Sequence, residues 1–149
     1  MRHLLFAIAA ISGVASTGVQ AKGTGTVCPG LVTGAAKKAY AEGTITSCKK
    51  EVDHGVTQFE VKLEVKGAKI EIDVTPEGKI VQTEESVEIA AVPAAVMKTF
   101  SAKYPKAAPS KANKLTAADN KVSFEVVFQD GKKRHEVTFA EDGTFIEAE

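Results

Sequence analysis

From residue 59 onward, hydrophobic and charged positions alternate with a period of two. Phe59, Val61, Leu63 and Val65 are separated by Glu60, Lys62 and Glu64, which predicts a strand with one buried and one charged face. Lys66-Gly67-Ala68 predicts a turn. Ile70, Ile72 and Val74 then alternate with Glu71 and Asp73, Pro76-Glu77-Gly78 marks a second turn, and residues 79–82 form a short last strand. An earlier strand is expected over residues 44–52. The pattern returns later in the chain. Val122, Phe124, Val126 and Phe128 share one face, Asp130-Gly131 turns the chain, Val137 and Phe139 lead back, and Phe145 opens a last strand after Glu141-Asp142-Gly143.

Two segments read as helices. Residues 31–42 are Ala-rich and stop at Gly43. Pro93 suits the first position of a second helix. Its apolar stripe is Val96, Met97, Phe100 and Tyr104, and Pro105 ends it. That stripe is the signature of a core face rather than a ligand box.

Sliding the chain by 65 residues lays residues 59–84 on 124–149 without a gap. Six of the 26 positions are identical, and five more pairs keep their hydrophobic character, among them Leu63 with Phe128 and Ile72 with Val137. This predicts two copies of one supersecondary unit. The fold class expected is therefore α+β, as two tandem units, each a helix packed on an antiparallel β-sheet of about four strands. The units would cover residues 22–88 and 89–149, with residues 84–91 as the joint between them.

The N-terminus changes the cellular context. Arg2 and His3 precede an apolar, uncharged run over residues 4–14, and Val19-Gln20-Ala21 fits a signal-peptidase cut, so residues 1–21 read as a secretory signal peptide. The chain is then periplasmic or secreted, with no stable membrane insertion after cleavage. In that compartment Cys28 and Cys48 are expected to pair as a structural disulfide. Loss of Arg2 leaves 18 basic against 19 acidic residues. A near-neutral chain lacks the basic excess of a nucleic-acid binder.

Candidate chemistry is sparse. Asp53-His54-Gly55 falls at an expected hairpin turn. His135 is in phase with Val137 and Phe139 near a strand start, and Lys132-Lys133-Arg134 makes a positive hairpin tip. No nucleophile motif, phosphate-binding Gly loop or metal-ligand spacing is present. No catalytic residue, metal site or cofactor is expected, and the reading is non-enzymatic.

Val92-Pro93-Ala94-Ala95-Val96, Phe100, Lys103-Tyr104-Pro105-Lys106-Ala107, Phe124-Glu125-Val126 and Gly143 closely resemble PepSY-like domains, also called beta-lactamase-inhibitor-like domains. Ala35-Ala36, Tyr40, Phe59-Glu60-Val61 and Thr75-Pro76-Glu77-Gly78-Lys79 resemble them more loosely. The resemblance implies a helix on an antiparallel sheet, export, and a binding or inhibitory role with no catalytic residues. The expected function is an exported binding protein of the cell envelope, an inhibitor or modulator of a secreted enzyme, with an unidentified protein or peptide partner. The alternative is a small-ligand or ion-binding periplasmic protein. The partner-binding surface expected is the outward sheet face, carrying Glu60, Lys62, Glu71, Glu125, Arg134 and Glu136, of mixed charge and without aromatic anchors.

Overall fold

A computed structural model describes residues 28–53 and 55–149. The expected signal peptide and His54 lie outside the described residues. Helix α1 (Gly30–Ala39) precedes strands β1 (Thr44–Asp53), β2 (Val56–Val65), β3 (Ala68–Val74) and β4 (Ile80–Val87). A 3₁₀ turn (Ile89–Ala91) leads into α2 (Ala94–Lys103), followed by β5 (Pro109–Ala117), β6 (Val122–Asp130), β7 (Lys133–Ala140) and β8 (Phe145–Ala148).

The eight strands form one antiparallel sheet in the order β1 to β8. This corrects the expectation of two tandem helix-on-sheet units. The fold is mostly β, and its sheet does not break in the middle. The supposed joint is part of the sheet: Gln82 to Val87 of β4 pair with Ala117 to Ala112 of β5. The sequence hides this connection for a physical reason. Residues 84–88 are Glu-Glu-Ser-Val-Glu, and β5 reads Pro-Ser-Lys-Ala-Asn-Lys-Leu-Thr-Ala. Neither alternates cleanly, because neither has one apolar and one polar face. Pairing with neighbours on both sides makes them strands, a context that outweighs local propensity.

Both helices lie on the same face of the sheet. On α1, Val32 and Ala36 are spaced by one turn and fully buried. They pack on Phe59, Val61 and Leu63 of β2 and Ile70, Ile72 and Val74 of β3. On α2, Val96 and Phe100 repeat that spacing and pack on Phe124, Val126 and Phe128 of β6 and Val137 and Phe139 of β7. Pro93 stands one residue before the helix, where its carbonyl accepts the first helical hydrogen bond from the Met97 N–H. The lack of an N–H on Pro leaves nothing unsatisfied there.

Two glycines set the distance between helices and sheet. Gly78 (φ +83°) and Gly143 (φ +87°) occupy the hairpin turns before β4 and β8. A Cβ on Gly78 would sit 2.8 Å from the Leu31 carbonyl oxygen, and one on Gly143 would sit 2.6 Å from that of Ala95. Both the left-handed backbone and the close approach require glycine.

Cys28 and Cys48 form a disulfide, with their Cα atoms 5.7 Å apart. The bridge ties the segment entering α1 to the middle of β1, an edge strand.

Candidate functional site

The face of the sheet turned away from the helices is open. Strand alternation places Glu60 and Lys62 of β2, Glu71 of β3, Glu125 of β6 and Arg134 and Glu136 of β7 on this one face. They form two groups, separated by β4 and β5. Lys62 Nζ donates to Glu71 Oε2 at 2.7 Å and lies 3.2 Å from Glu60 Oε1. The Glu71 hydrogen bond raises the Lys62 ammonium above its ordinary value. Arg134 pairs with Glu136 on its own strand. Glu125 accepts a 2.8 Å hydrogen bond from Asn113 Nδ2, and Ser86 Oγ donates to Asn113 Oδ1 at 3.2 Å. Asn113 is 1% exposed, so this chain across β4, β5 and β6 supplies partners that a buried amide requires.

Two further positions on the outward face are covered. Val127 and Thr138 are both buried.

The sheet curves over its open face. Glu51 and Val52 of edge strand β1 and Ile146 and Glu147 of edge strand β8 line the same groove, of about 420 Å³. Among the described residues, eight carboxylates line it: Glu51, Glu71, Asp73, Glu84, Glu125, Glu136, Glu147 and Glu149. No basic side chain among the described residues does so; Lys49, Lys62, Lys111 and Arg134 reach Glu51, Glu71, Glu84 and Glu136 from outside it. A face that looks mixed in charge along the sequence is therefore net acidic along this groove. Exposed Val52 and Ile146 add apolar surface at its two rims. Among the described residues, no group of three or more His, Cys, Asp or Glu side chains is arranged to hold a metal ion. The carboxylates are spread along the groove rather than converged on a point.

Glu84 stands at the centre of the groove, opposite Glu71 on β3 and Leu115 on β5. Sequence reasoning assigned it to the joint and missed it; no alternation marks it. Burial first, then the Glu125 and Glu71 carboxylates, push its carboxyl from 4.5 up to about 7, against the opposing pull of Lys111. Burial also raises Glu71, in spite of its bond to Lys62.

The folded state thus holds the Glu84 proton more tightly than the unfolded chain does. The resulting destabilisation is absent below the unfolded value of 4.5 and complete above about 7. The side chain keeps 22% of its surface exposed, so solvent trims the effect to about 2 kcal/mol. Glu84→Gln is expected to be more stable than wild type by that amount at about pH 8.5, and nearly equal to it at about pH 4.5. Urea denaturation of both proteins at the two pH values measures this. A difference that does not change with pH would refute the assignment.

The remaining sequence candidates lie elsewhere. His135 is half-buried, with its ring stacked on Phe128 at 5.1 Å and 15°, within the aromatic cluster that includes Phe100 and Tyr104. Lys132 sits on the exposed β6–β7 turn, and Lys133 is exposed at the start of β7.

No protein-family model matches the chain, and no curated protein matches its sequence. Solved structures do match it. A BLIP-like protein from Bacteroides fragilis superposes with a TM-score of 0.61 at 23% identity, over 85% of this chain and 89% of that one. The fold is BLIP-like. A DUF2874 family protein from Bacteroides uniformis superposes with a TM-score of 0.65 at 17% identity over 82% of this chain and 88% of its own. A protein from Bacteroides eggerthii, provisionally called periplasmic, superposes with a TM-score of 0.66 at 16% identity over 83% and 89%. At these identities the likeness shows the BLIP-like fold alone. Among the described residues, no helix is long and apolar enough to cross a membrane.

Proposed function

We propose that this chain is an exported, non-enzymatic binding protein of the cell envelope, an inhibitor or modulator that holds a basic segment of a secreted protein in its acidic groove. The observation that carries the reading is the gathering of eight carboxylates, with no lining cation, on one concave sheet face. Such a face concentrates negative potential and draws in a positive partner. The leader-like residues 1–21 and the Cys28–Cys48 bridge support export. The BLIP-like fold supports a protein partner, and the neighbour provisionally called periplasmic supports the compartment. Aromatic anchors are missing from the groove lining, which favours an interface of moderate affinity whose specificity is electrostatic.

The test is binding of a partner captured from an envelope extract to wild type and to the double variant Glu136→Gln, Glu147→Gln. Affinity is expected to fall about tenfold for the variant at low ionic strength, and the gap should close as salt rises. Equal affinities at low salt would remove the groove as the binding surface.

A further inference from the structure

The two helices end alike and then meet the sheet differently. Tyr40 caps α1 and Tyr104 caps α2, with φ of −131° and −128°. Three residues on, the Gly43 N–H donates to the Tyr40 carbonyl at 2.9 Å, and the Ala107 N–H donates to the Tyr104 carbonyl at 3.0 Å. The chain thus leaves both helices along one path. At the α1 corner the space beside that path is filled. A Cβ on Gly43 would stand 3.2 Å from Cγ2 of Val65, the last residue of β2. Beside it, Glu42 pairs with Lys66 at 2.8 Å. At the α2 corner the last residue of β6 is Asp130, Gly131 follows it, and Lys106 precedes Ala107. A cavity of about 250 Å³ opens there.

The cavity has an aromatic floor. Tyr104 and Phe128 line it, with ring centroids 4.9 Å apart. Phe128 is buried, with Phe100 edge-on at 5.5 Å and His135 stacked on it, so close packing holds the floor in place. Pro105 and Ala107 add apolar wall, and Lys106 and Asp130 stand exposed at the mouth. Among the described residues, neither forms an ion pair, with the other or with a third side chain. One corner is sealed by a valine and a closed ion pair. The other presents an apolar cleft flanked by a cation and an anion that nothing neutralises.

We propose that this cavity binds a free amino acid with an aromatic side chain, its ring against Tyr104 and Phe128, its carboxylate at Lys106 and its ammonium at Asp130. The volume lies below the roughly 300–1,000 Å³ of pockets for drug-sized ligands, so the occupant is one small molecule. Tilted rings on the floor favour an aromatic partner in an offset or edge-on contact. Opposite charges at one mouth match a zwitterion. The last residue of a peptide would leave Asp130 unmatched, and the first would leave Lys106 unmatched. The cavity lies at the α2 core cluster, on the helix side of the sheet. It does not share the open face with the acidic groove, and the inference does not depend on the proposed partner.

Amide chemical shifts of the isotope-labelled protein, titrated with L-phenylalanine, test this. Saturable changes are expected at residues 104–107 and 128–130, with a Kd on the order of 0.1–1 mM. Phenethylamine, which lacks the carboxylate, and phenylpropionate, which lacks the ammonium, should each bind about fivefold more weakly. Lys106→Gln should weaken phenylalanine by that factor without weakening phenethylamine, and Asp130→Asn should weaken phenylalanine without weakening phenylpropionate. Both side chains are exposed, so the fold should survive either change. No saturable shift at these residues up to about 10 mM phenylalanine would overturn the site. Equal affinities for phenylalanine and its two analogues would overturn the assignment to a zwitterion.

Discussion

Phe139→Ala is expected to destabilise the protein by about 3–5 kcal/mol, the largest single-residue effect anticipated. Phe139 is fully buried on β7. It pairs across the strands with Phe124 and belongs to the cluster that includes Val96 and Phe100 of α2. Its ring also meets Phe145 of β8 edge-on, with centroids 6.0 Å apart. Phe145 in turn carries Lys103 Nζ of α2 at 4.2 Å from its ring centre. Truncation removes apolar area and leaves a void bounded by a helix and two strands that cannot both collapse into it. It also withdraws the support under Phe145, so the short edge strand β8 should fray. Thermal unfolding should move down by on the order of 10 °C. A loss under about 1 kcal/mol would mean that this cluster repacks freely and is not the rigid anchor of α2.

Removing the disulfide is expected to have the second largest effect. Cys28→Ser with Cys48→Ser should lower stability by about 3 kcal/mol, the loop-closure value for cysteines separated by 20 residues. The location favours the full effect. β1 pairs only with β2, and α1 has just Val32 and Ala36 fully buried. The bridge holds together the two elements with the least other anchorage. Reductant should therefore lower the melting temperature of wild type and leave the double variant unchanged. Equal melting temperatures for oxidised and reduced wild type would show that α1 and β1 are fixed without the bridge.

The strands with clean alternation were legible in the chain. Residues 59–65 and 70–74 put apolar side chains on one side and charges on the other, residues 122–128 put Val122, Phe124, Val126 and Phe128 on one side, and β2, β3 and β6 contain them in that phase. The helices were legible for the same kind of reason, since Val96 and Phe100 recur at the spacing of one turn and Pro105 halts the pattern. Gly78 and Gly143 were visible as turns. Their closeness to the carbonyls of Leu31 and Ala95 was not, because it depends on where the helices land.

What the sequence determined by itself is the set of elements whose two faces differ, because a one-sided burial pattern is written into residue order. The pairing of Cys28 with Cys48 belongs here too, since only two cysteines exist to form an intramolecular bridge. Tertiary structure alone decided that β4 and β5 join the sheet into one. Their side chains mix polar and apolar residues on both faces, with Val87, Ala112 and Leu115 among threonines and charges, so the hydrogen bonds offered by β3 and β6 select the extended form. It also decided the character of the open face. Curvature gathers Glu51, Glu84 and Glu147, which are far apart along the chain, into one groove with Glu71 and Glu125. Along the chain Glu60, Glu64 and Glu71 alternate with Lys62 and Lys69, and the face looks balanced. In the folded sheet, Lys62 and Arg134 are engaged by their neighbouring acids, and the charge left facing the groove is negative.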